Sequence, residues 1–324
     1  MKLFAFTESR YFGQKVADAL GVTLAAHEER DFEDGEHKAR PLESVRGADV
    51  FVIQSLHGDN PMSPNDKLCR LLFFVATLRE HGARRVHVVA PYLAYARKDR
   101  QTKARDPVTT RYLAQLMEAV GADTVMTIDV HNIVAFQNAH RCRTVHLDTR
   151  LPFSARAKEL IGDANVVVAS PDPGGVKRAQ LFRETFEAHL RRPIGSAFME
   201  KRRSAGIVSG THLAGDVDEA TVLIIDDLIS SGGTMARAAE ACRQYGAHKV
   251  YAFAAHGLFT GDAAQVLAQD CLERIFVADT VPPFRLGPPA AEKVEVISVA
   301  PLFAEAIRRL ARDGSLVELL GPTA

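Results

Sequence analysis

The amino-acid sequence predicts an α/β protein built from two mainly parallel sheets, each flanked by helices. Three observations lead to that class. Short β-branched runs alternate with segments of helical spacing, the alternation starts afresh near Leu151, and Val222 to Thr234 joins an apolar strand to an Asp-Asp pair and a Ser-Ser-Gly-Gly-Thr turn. A β-α-β order calls for right-handed crossovers between parallel strands, and ligands of such sheets bind beyond the strands' carboxyl ends. With 324 residues, 47% of them hydrophobic, the chain has material for two domains of ordinary size.

Residues 1–148 form the first expected domain. Lys2 to Phe6 reads as a strand and Tyr11 to Leu20 as a helix stopped by Gly21. Asp31-Phe32-Glu33-Asp34-Gly35-Glu36 is an acidic hairpin or loop with one aromatic near its start. Ala48 to Gln54 is a buried strand, Asn65 to His81 carries Leu68, Leu71, Leu72, Val75 and Leu78 at helical spacing, and Arg84 to Ala90 is the next strand. The segment leaving it, Arg97-Lys98-Asp99-Arg100-Gln101-Thr102-Lys103-Ala104-Arg105, is strongly cationic. Such a run is a solvated face or, at a strand's carboxyl end, a clamp for polyphosphate, because Arg pairs bidentately with phosphate oxygens. A helix begins near Val108 to Thr110. The strand Asp123 to Ile128 then ends in Asp129-Val130-His131-Asn132, where His131 is either structural or a ligand for a cation, directly or through water.

Residues 149–300 form the second, and the amphipathic helix Pro301 to Arg312 is expected to pack back on the first. A helix runs from Leu151 to Ile161, a strand from Asn165 to Ala169, and a turn from Ser170 to Gly175, in which Asp172 either shapes the turn or binds a ligand. After a helix from Val176 to His189, the strand Ile194 to Met199 runs into Glu200-Lys201-Arg202-Arg203. Alternation puts Lys201 and Arg203 on one face, where they project into solvent or act together on an anion. Val222 to Ile225 is a strand with Asp226 and Asp227 at its carboxyl end, and the helix from Gly232 to Tyr245 follows. Between them, Gly232 and Gly233 let several N–H groups converge, the helix adds its positive end, and Ser230, Ser231 and Thr234 add hydroxyls. That turn suits a phosphate. Carboxylates beside it would repel one, so they accept from sugar hydroxyls or hold a cation. The pair of features points to a phosphorylated sugar. Lys249 to Ala254, Arg274 to Ala278 and Val294 to Val299 complete the sheet around a Pro-rich excursion, Pro282 to Ala291.

Lys plus Arg and Asp plus Glu each total 40, so no overall basic field argues for nucleic acid. Cys69, Cys142, Cys242 and Cys271 form no CxxC pair, which suits a reducing compartment, and no apolar run approaches a membrane span. A soluble cytoplasmic protein is expected.

Taken in order, Phe32 to Glu36, Val45 to Asp49, Pro91 to Pro107, Ser170 to Gly175, Lys201 to Arg203, the Asp226-Asp227 loop and Ala304 to Leu310 resemble the ribose-phosphate diphosphokinase, or phosphoribosyl diphosphate (PRPP) synthetase, family nearly end to end. The resemblance implies two type I phosphoribosyltransferase-like domains, with ATP on the first and ribose 5-phosphate on the second. Phe32, Asp34 and Glu36 would reach the adenosine of a neighbouring subunit's ATP, which makes the protein a homo-oligomer, at least a dimer and in the family often a hexamer. Arg97, Lys98, Asp99 and Arg100 would clamp ATP, His131 and Asp172 would hold magnesium, and Lys201 and Arg203 would stabilise the transferring group. Asp226, Asp227, Ser230, Ser231, Gly232, Gly233 and Thr234 would hold ribose 5-phosphate. The implied reaction is attack of the sugar's C1 hydroxyl on the β-phosphorus of ATP, giving PRPP and AMP.

Four places depart from the family pattern. Lys98 stands where Gln is usual, Ser230 stands where bacterial members have Asp, the run after His131 lacks the usual Gln-Gly-Phe-Phe-like segment linked to allosteric control, and the segment after Arg203 is short of the usual pattern. They leave room for a divergent paralogue acting on another sugar phosphate. A PRPP-consuming phosphoribosyltransferase shares the Asp-Asp loop but gives the N-terminal half no role. A non-catalytic regulatory relative would not need Lys201, Arg203, His131 and Asp172.

Overall fold

A computed structural model describes residues 1–204 and 207–320, without the side chains of 201–211, 318 and 320. The chain forms two compact units, Met1–Asp148 with Val299–Ala324, and Thr149–Ser298.

In the first unit, β1 (Lys2–Ala5) is followed by α1 (Arg10–Leu20), the strands β2 (His27–Asp31) and β3 (His37–Pro41), β4 (Asp49–Ile53), α2 (Pro64–Glu80), β5 (Arg85–Val89), α3 (Thr109–Ala119), β6 (Thr124–Ile128), α4 (Ile133–Ala139) and β7 (Arg143–Leu147). Five of these strands form a parallel sheet in the order β1-β4-β5-β6-β7. Their β-branched residues are buried on both faces, as a sheet covered on both sides requires. On one face Phe4, Val52, Val86 and Val88 meet Leu71, Phe74 and Leu78 of α2. That helix starts where it does because Ser63 and Asp66 form a capping box ahead of Pro64 at the first position. Against α1 lies the terminal helix α10 (Ala300–Ala311), with Phe12 and Phe303 edge to face at 5.3 Å.

The second unit contains α5 (Arg150–Ile161), β8 (Val166–Ser170), α6 (Val176–Leu190), β9 (Gly195–Ser204), β10 (Ile207–Ala214), β11 (Thr221–Ile229), α7 (Gly233–Gln244), β12 (Lys249–Gly257), α8 (Ala263–Leu267), β13 (Arg274–Ala278), α9 (Ala290–Lys293) and β14 (Val294–Ile297). Among the described residues the sheet order is β10-β9-β8-β11-β12-β13-β14, parallel except for the antiparallel β9–β10 pair. Central β11 is buried from Thr221 to Ile225 between its neighbours, so the residues that leave its carboxyl end start from a rigid platform. Among the described residues no helix is long and apolar enough to cross a membrane.

The structure decides one open alternative of the sequence reading in favour of the hairpin and adds elements elsewhere. The acidic turn at Phe32 is the tip of a true hairpin, β2–β3, whose strands are polar and joined by charge: Glu28 binds Lys38 at 3.3 Å and also Arg40. Helix α4 and strands β7 and β10 had no counterpart in the periodicity, and β11 continues through the two aspartates to Ile229.

Candidate functional site

In the second unit the candidate ligand residues are enclosed. The pairing of β11 with β8 ends at Ile224, whereas the pairing with β12 continues through Asp226, opposite Ala254, to Ile229. Asp226 and Asp227 therefore lie in a strand still paired on one side only, with side chains 19% and 5% exposed. Asp226 Oδ1 accepts the Asp227 amide at 2.9 Å. Burial, and next the adjacent Asp227 carboxylate, push the Asp226 carboxyl well above the usual carboxylate range. Arg178, from the first turn of α6, opposes that shift: its Nη1 lies 3.5 Å from Asp226 Oδ1 and 3.2 Å from Asp227 Oδ1.

Beyond Ile229 the chain turns through Ser230 and Ser231 into α7. Gly232 stands at the helix N-cap with φ +79°, a left-handed conformation that glycine adopts without penalty, and a Cβ there would lie 2.9 Å from Leu267 Cδ2. No side chain caps the first turn, so the amide end of α7 is presented without an internal anion. Thr234 Oγ1 accepts from Arg237 at 3.3 Å. Ser230 and Thr260 share a hydroxyl–hydroxyl hydrogen bond of 2.8 Å, and the Thr260 amide donates to the Ser230 carbonyl at 3.0 Å. Ser230, where the resemblance leads one to expect Asp, thus fastens the turn to the end of β12.

The turn after β8 adjoins this strand end. Asp172 Oδ1 accepts the Gly175 amide at 3.0 Å, and Ser170 Oγ donates to the Asp172 carbonyl at 2.7 Å. A Cβ on Gly175 would come 2.7 Å from Ser170 Oγ, so glycine is what lets this turn close. Asp172 is thereby held at the carboxyl edge of β8, next to β11 in the sheet.

In the first unit the predicted residues lie on exposed backbone. Phe32, Asp34 and Glu36 sit at the hairpin tip, where Asp34 Oδ1 accepts the Glu36 amide at 3.1 Å and Arg30 lies 5.0 Å from the Phe32 ring centroid. Arg97 and Arg100 are exposed, whereas Lys98 and Asp99 are partly covered. Lys98 Nζ reaches Asp106 Oδ2 at 2.5 Å, and the same carboxylate accepts the Thr102 and Lys103 amides at 3.1 and 3.0 Å. The Lys98 ammonium, followed by these donors, holds the Asp106 carboxyl far below the usual range. Asn132 Nδ2 donates to Asp99 Oδ2 at 2.6 Å while its Oδ1 caps α4, so the cationic loop is tied to the segment carrying His131.

His131 belongs to the first unit and Asp172 to the second. Among the described residues no three His, Cys, Asp or Glu side chains cluster as a self-sufficient metal cage. That is compatible with magnesium, which keeps several waters and commonly takes one or two carboxylates plus substrate phosphates. Lys201 and Arg203 lie on β9, but their side chains fall outside the described residues.

Arg178, Asp106 and Thr260 were not singled out by the sequence. One signal was available: Lys177 and Arg178 put cations in the first turn of a helix, where the dipole disfavours them, so a nearby carboxylate should compensate. Asp106, a lone acid closing a run of cations, carried a similar hint.

The chain is similar to known proteins along nearly its whole length. Residues 1–121 match the model of the N-terminal domain of ribose phosphate pyrophosphokinase, residues 153–262 the phosphoribosyl transferase domain, and residues 208–321 the phosphoribosyl synthetase-associated domain. A ribose-phosphate pyrophosphokinase of Caldanaerobacter subterraneus is 37% identical over 98% of this chain and 97% of its own length, and one from Hyphomonas neptunium is 36% identical over 98% and 99%. The crystal structure of phosphoribosylpyrophosphate synthetase from Mycobacterium smegmatis superposes with a TM-score of 0.87 at 32% identity, covering 97% of this chain and 99% of that one. With full-length relatives at this identity and the N-terminal and synthetase-associated domains both matched, the chain belongs to the ribose-phosphate pyrophosphokinase family.

Proposed function

We propose that the chain transfers the β,γ-diphosphate of ATP to the C1 hydroxyl of ribose 5-phosphate, giving PRPP and AMP. The observation that carries this reading is the pairing, at one strand end, of two enclosed carboxylates with a glycine turn and an uncapped helix N-terminus. Carboxylates that accept from vicinal hydroxyls and amides that receive a phosphate together recognise a sugar phosphate.

Transfer of this kind asks for in-line positioning and compensation of charge on the equatorial oxygens rather than for covalent chemistry. Asp226 and Asp227 would orient the sugar, and Ser230, Ser231, Gly232, Gly233 and Thr234 would hold its phosphate. Arg97 and Arg100 would draw the polyphosphate in, with Lys98 and Asp99 setting the loop's shape. Phe32, Asp34 and Glu36 would serve the adenosine of a neighbouring subunit's ATP, which requires a homo-oligomer of at least two chains. His131 and Asp172 would hold magnesium, which supplies further positive charge to the phosphates. Lys201 and Arg203 would bear on the transferring group, and no residue need act as general base. A cytoplasmic location fits substrates of this class.

The test is incubation of the purified protein with ATP, magnesium and ribose 5-phosphate, following AMP and PRPP. Both products in equal amounts are expected. Absence of AMP would remove the reading, and AMP only with a different sugar phosphate would move the acceptor. Lys201→Ala is expected to lower turnover far more than nucleotide affinity; an equal loss of both would contradict its role.

A further inference from the structure

Arg178 is the one cation placed against both acceptor-side carboxylates by the described ion pairs, and nothing above uses it in the reaction. Its Nη1 lies within 3.5 Å of Asp226 Oδ1 and 3.2 Å of Asp227 Oδ1, and its own side chain is only 21% exposed. Two neighbouring carboxylates in an enclosed strand end resist carrying two negative charges together, because each raises the energy of the other's ionised form. A guanidinium shared between them relieves that repulsion and sets the direction in which their remaining lone pairs point. The cation comes from the first turn of α6, where the helix dipole disfavours it, so its placement is a local cost met by the two aspartates. The same turn of chain begins at Asp172 and closes on Gly175, so Arg178 joins the turn after β8 to the end of β11.

We propose that Arg178 is a positioning residue of the acceptor site: it holds Asp226 and Asp227 side by side and aims their free oxygens at the hydroxyls of the sugar phosphate, without touching the sugar itself. The proposal rests on the assignment of that strand end to ribose 5-phosphate. It predicts a selective effect, since the nucleotide-side residues belong to the other unit of the chain.

The experiment is steady-state kinetics on full-length Arg178→Met, Arg178→Lys, Asp227→Asn and the double variant Arg178→Met with Asp227→Asn, alongside calorimetric binding of ribose 5-phosphate to each. Arg178→Met should raise KM for ribose 5-phosphate on the order of ten- to a hundredfold, as expected when one partner of an enclosed charge pair is truncated, while KM for ATP moves by less than about threefold. Arg178→Lys should recover part of the loss, because it keeps the charge but not the fork. In the double variant the second substitution should cost less than it does alone, which marks the two residues as coupled. If Arg178→Met does not fold, Arg178→Lys carries the test, with a several-fold rise confined to the sugar KM. Unchanged sugar KM and binding, or sugar and ATP constants rising together, would overturn the proposal. An inactive wild-type protein that still binds ribose 5-phosphate in an Arg178-dependent way would instead remove the diphosphokinase reading and leave the role of Arg178 standing.

Discussion

The two units treat their candidate ligand residues in opposite ways. In the second, Asp226 and Asp227 lie within a paired strand, Gly232 is wedged against Leu267, and Ser230 is fastened to Thr260. In the first, Phe32, Asp34, Glu36, Arg97 and Arg100 are exposed, and order comes from polar bonds such as the local Lys98–Asp106 pair, with Asn132–Asp99 tying the loop to the next strand end. The proposed sugar side is ordered by burial. The nucleotide side is organised by short-range polar contacts, which suits groups that must close over a polyphosphate and exclude water.

A substitution at Gly232 should test that contrast most severely. With φ +79° a side chain meets the left-handed penalty, and its Cβ would lie 2.9 and 3.0 Å from Leu267 Cδ2 and Cγ. Strain and overpacking together cost about 2–4 kcal/mol. Gly232→Ala is therefore expected to raise KM for ribose 5-phosphate on the order of a hundredfold and to lower the melting temperature, with ATP binding by the free protein nearly unchanged. Normal sugar kinetics would mean that the turn is not rigid and that the contrast fails.

The contrast extends to titration. His87, on β5, is 1% exposed, stacks on Phe51 at 4.3 Å, and among the described residues has no hydrogen-bond partner at either ring nitrogen; burial lowers its pKa to about 4. Its folded-state pKa lies below the unfolded value, so the stability it allows is complete above about pH 6.5 and is lost as pH falls towards about 4. Asp226 has the opposite sign. Its folded-state pKa is raised, so the cost of its burial is relieved as pH falls. Acid should thus loosen the first unit before the second. Between pH 7 and pH 4 the protection factors against hydrogen exchange are expected to fall at β5 amides before β11 amides, and His87→Leu should remove up to about 3 kcal/mol of that acid sensitivity. Simultaneous loosening of both strands in wild type and variant alike would deny the difference.

The same division explains what could be read from the sequence. Val222 to Thr234 was legible because strand, carboxylates, glycines and helix follow one another along the chain, and local order sets their geometry. The end of β11 was placed too early because two aspartates look like a strand terminus, whereas β12 continues to pair with them. The hairpin strands His27–Asp31 and His37–Pro41 carry charges instead of apolar alternation, so their pairing had no period to betray it. Helix α4 has seven residues, with Ile133 and Val134 exposed, too short a segment for a clear apolar stripe. Arg178 and Thr260 lie 48 and 30 positions from the residues they hold, distances over which spacing says nothing.

The smallest expected effect lies in the cationic loop, and it is the sharpest test of local organisation. Lys98 departs from the Gln expected there, and the structure gives the departure a partner: Asp106, which also accepts the Thr102 and Lys103 amides. Lys98 is thereby turned inward as a loop fastener, while Arg97 and Arg100 stay exposed. Asp106→Ala frees Lys98 and two amides at once, but the pair is partly exposed and water replaces much of what is lost. KM for ATP should rise only about two- to fivefold, with the sugar KM unchanged. Adding Lys98→Gln to Asp106→Ala should cost little more, because the fastener is already undone. A large further loss on that second step would show Lys98 acting directly on the nucleotide, and the nucleotide side would then owe less to local bonds than its exposed residues suggest.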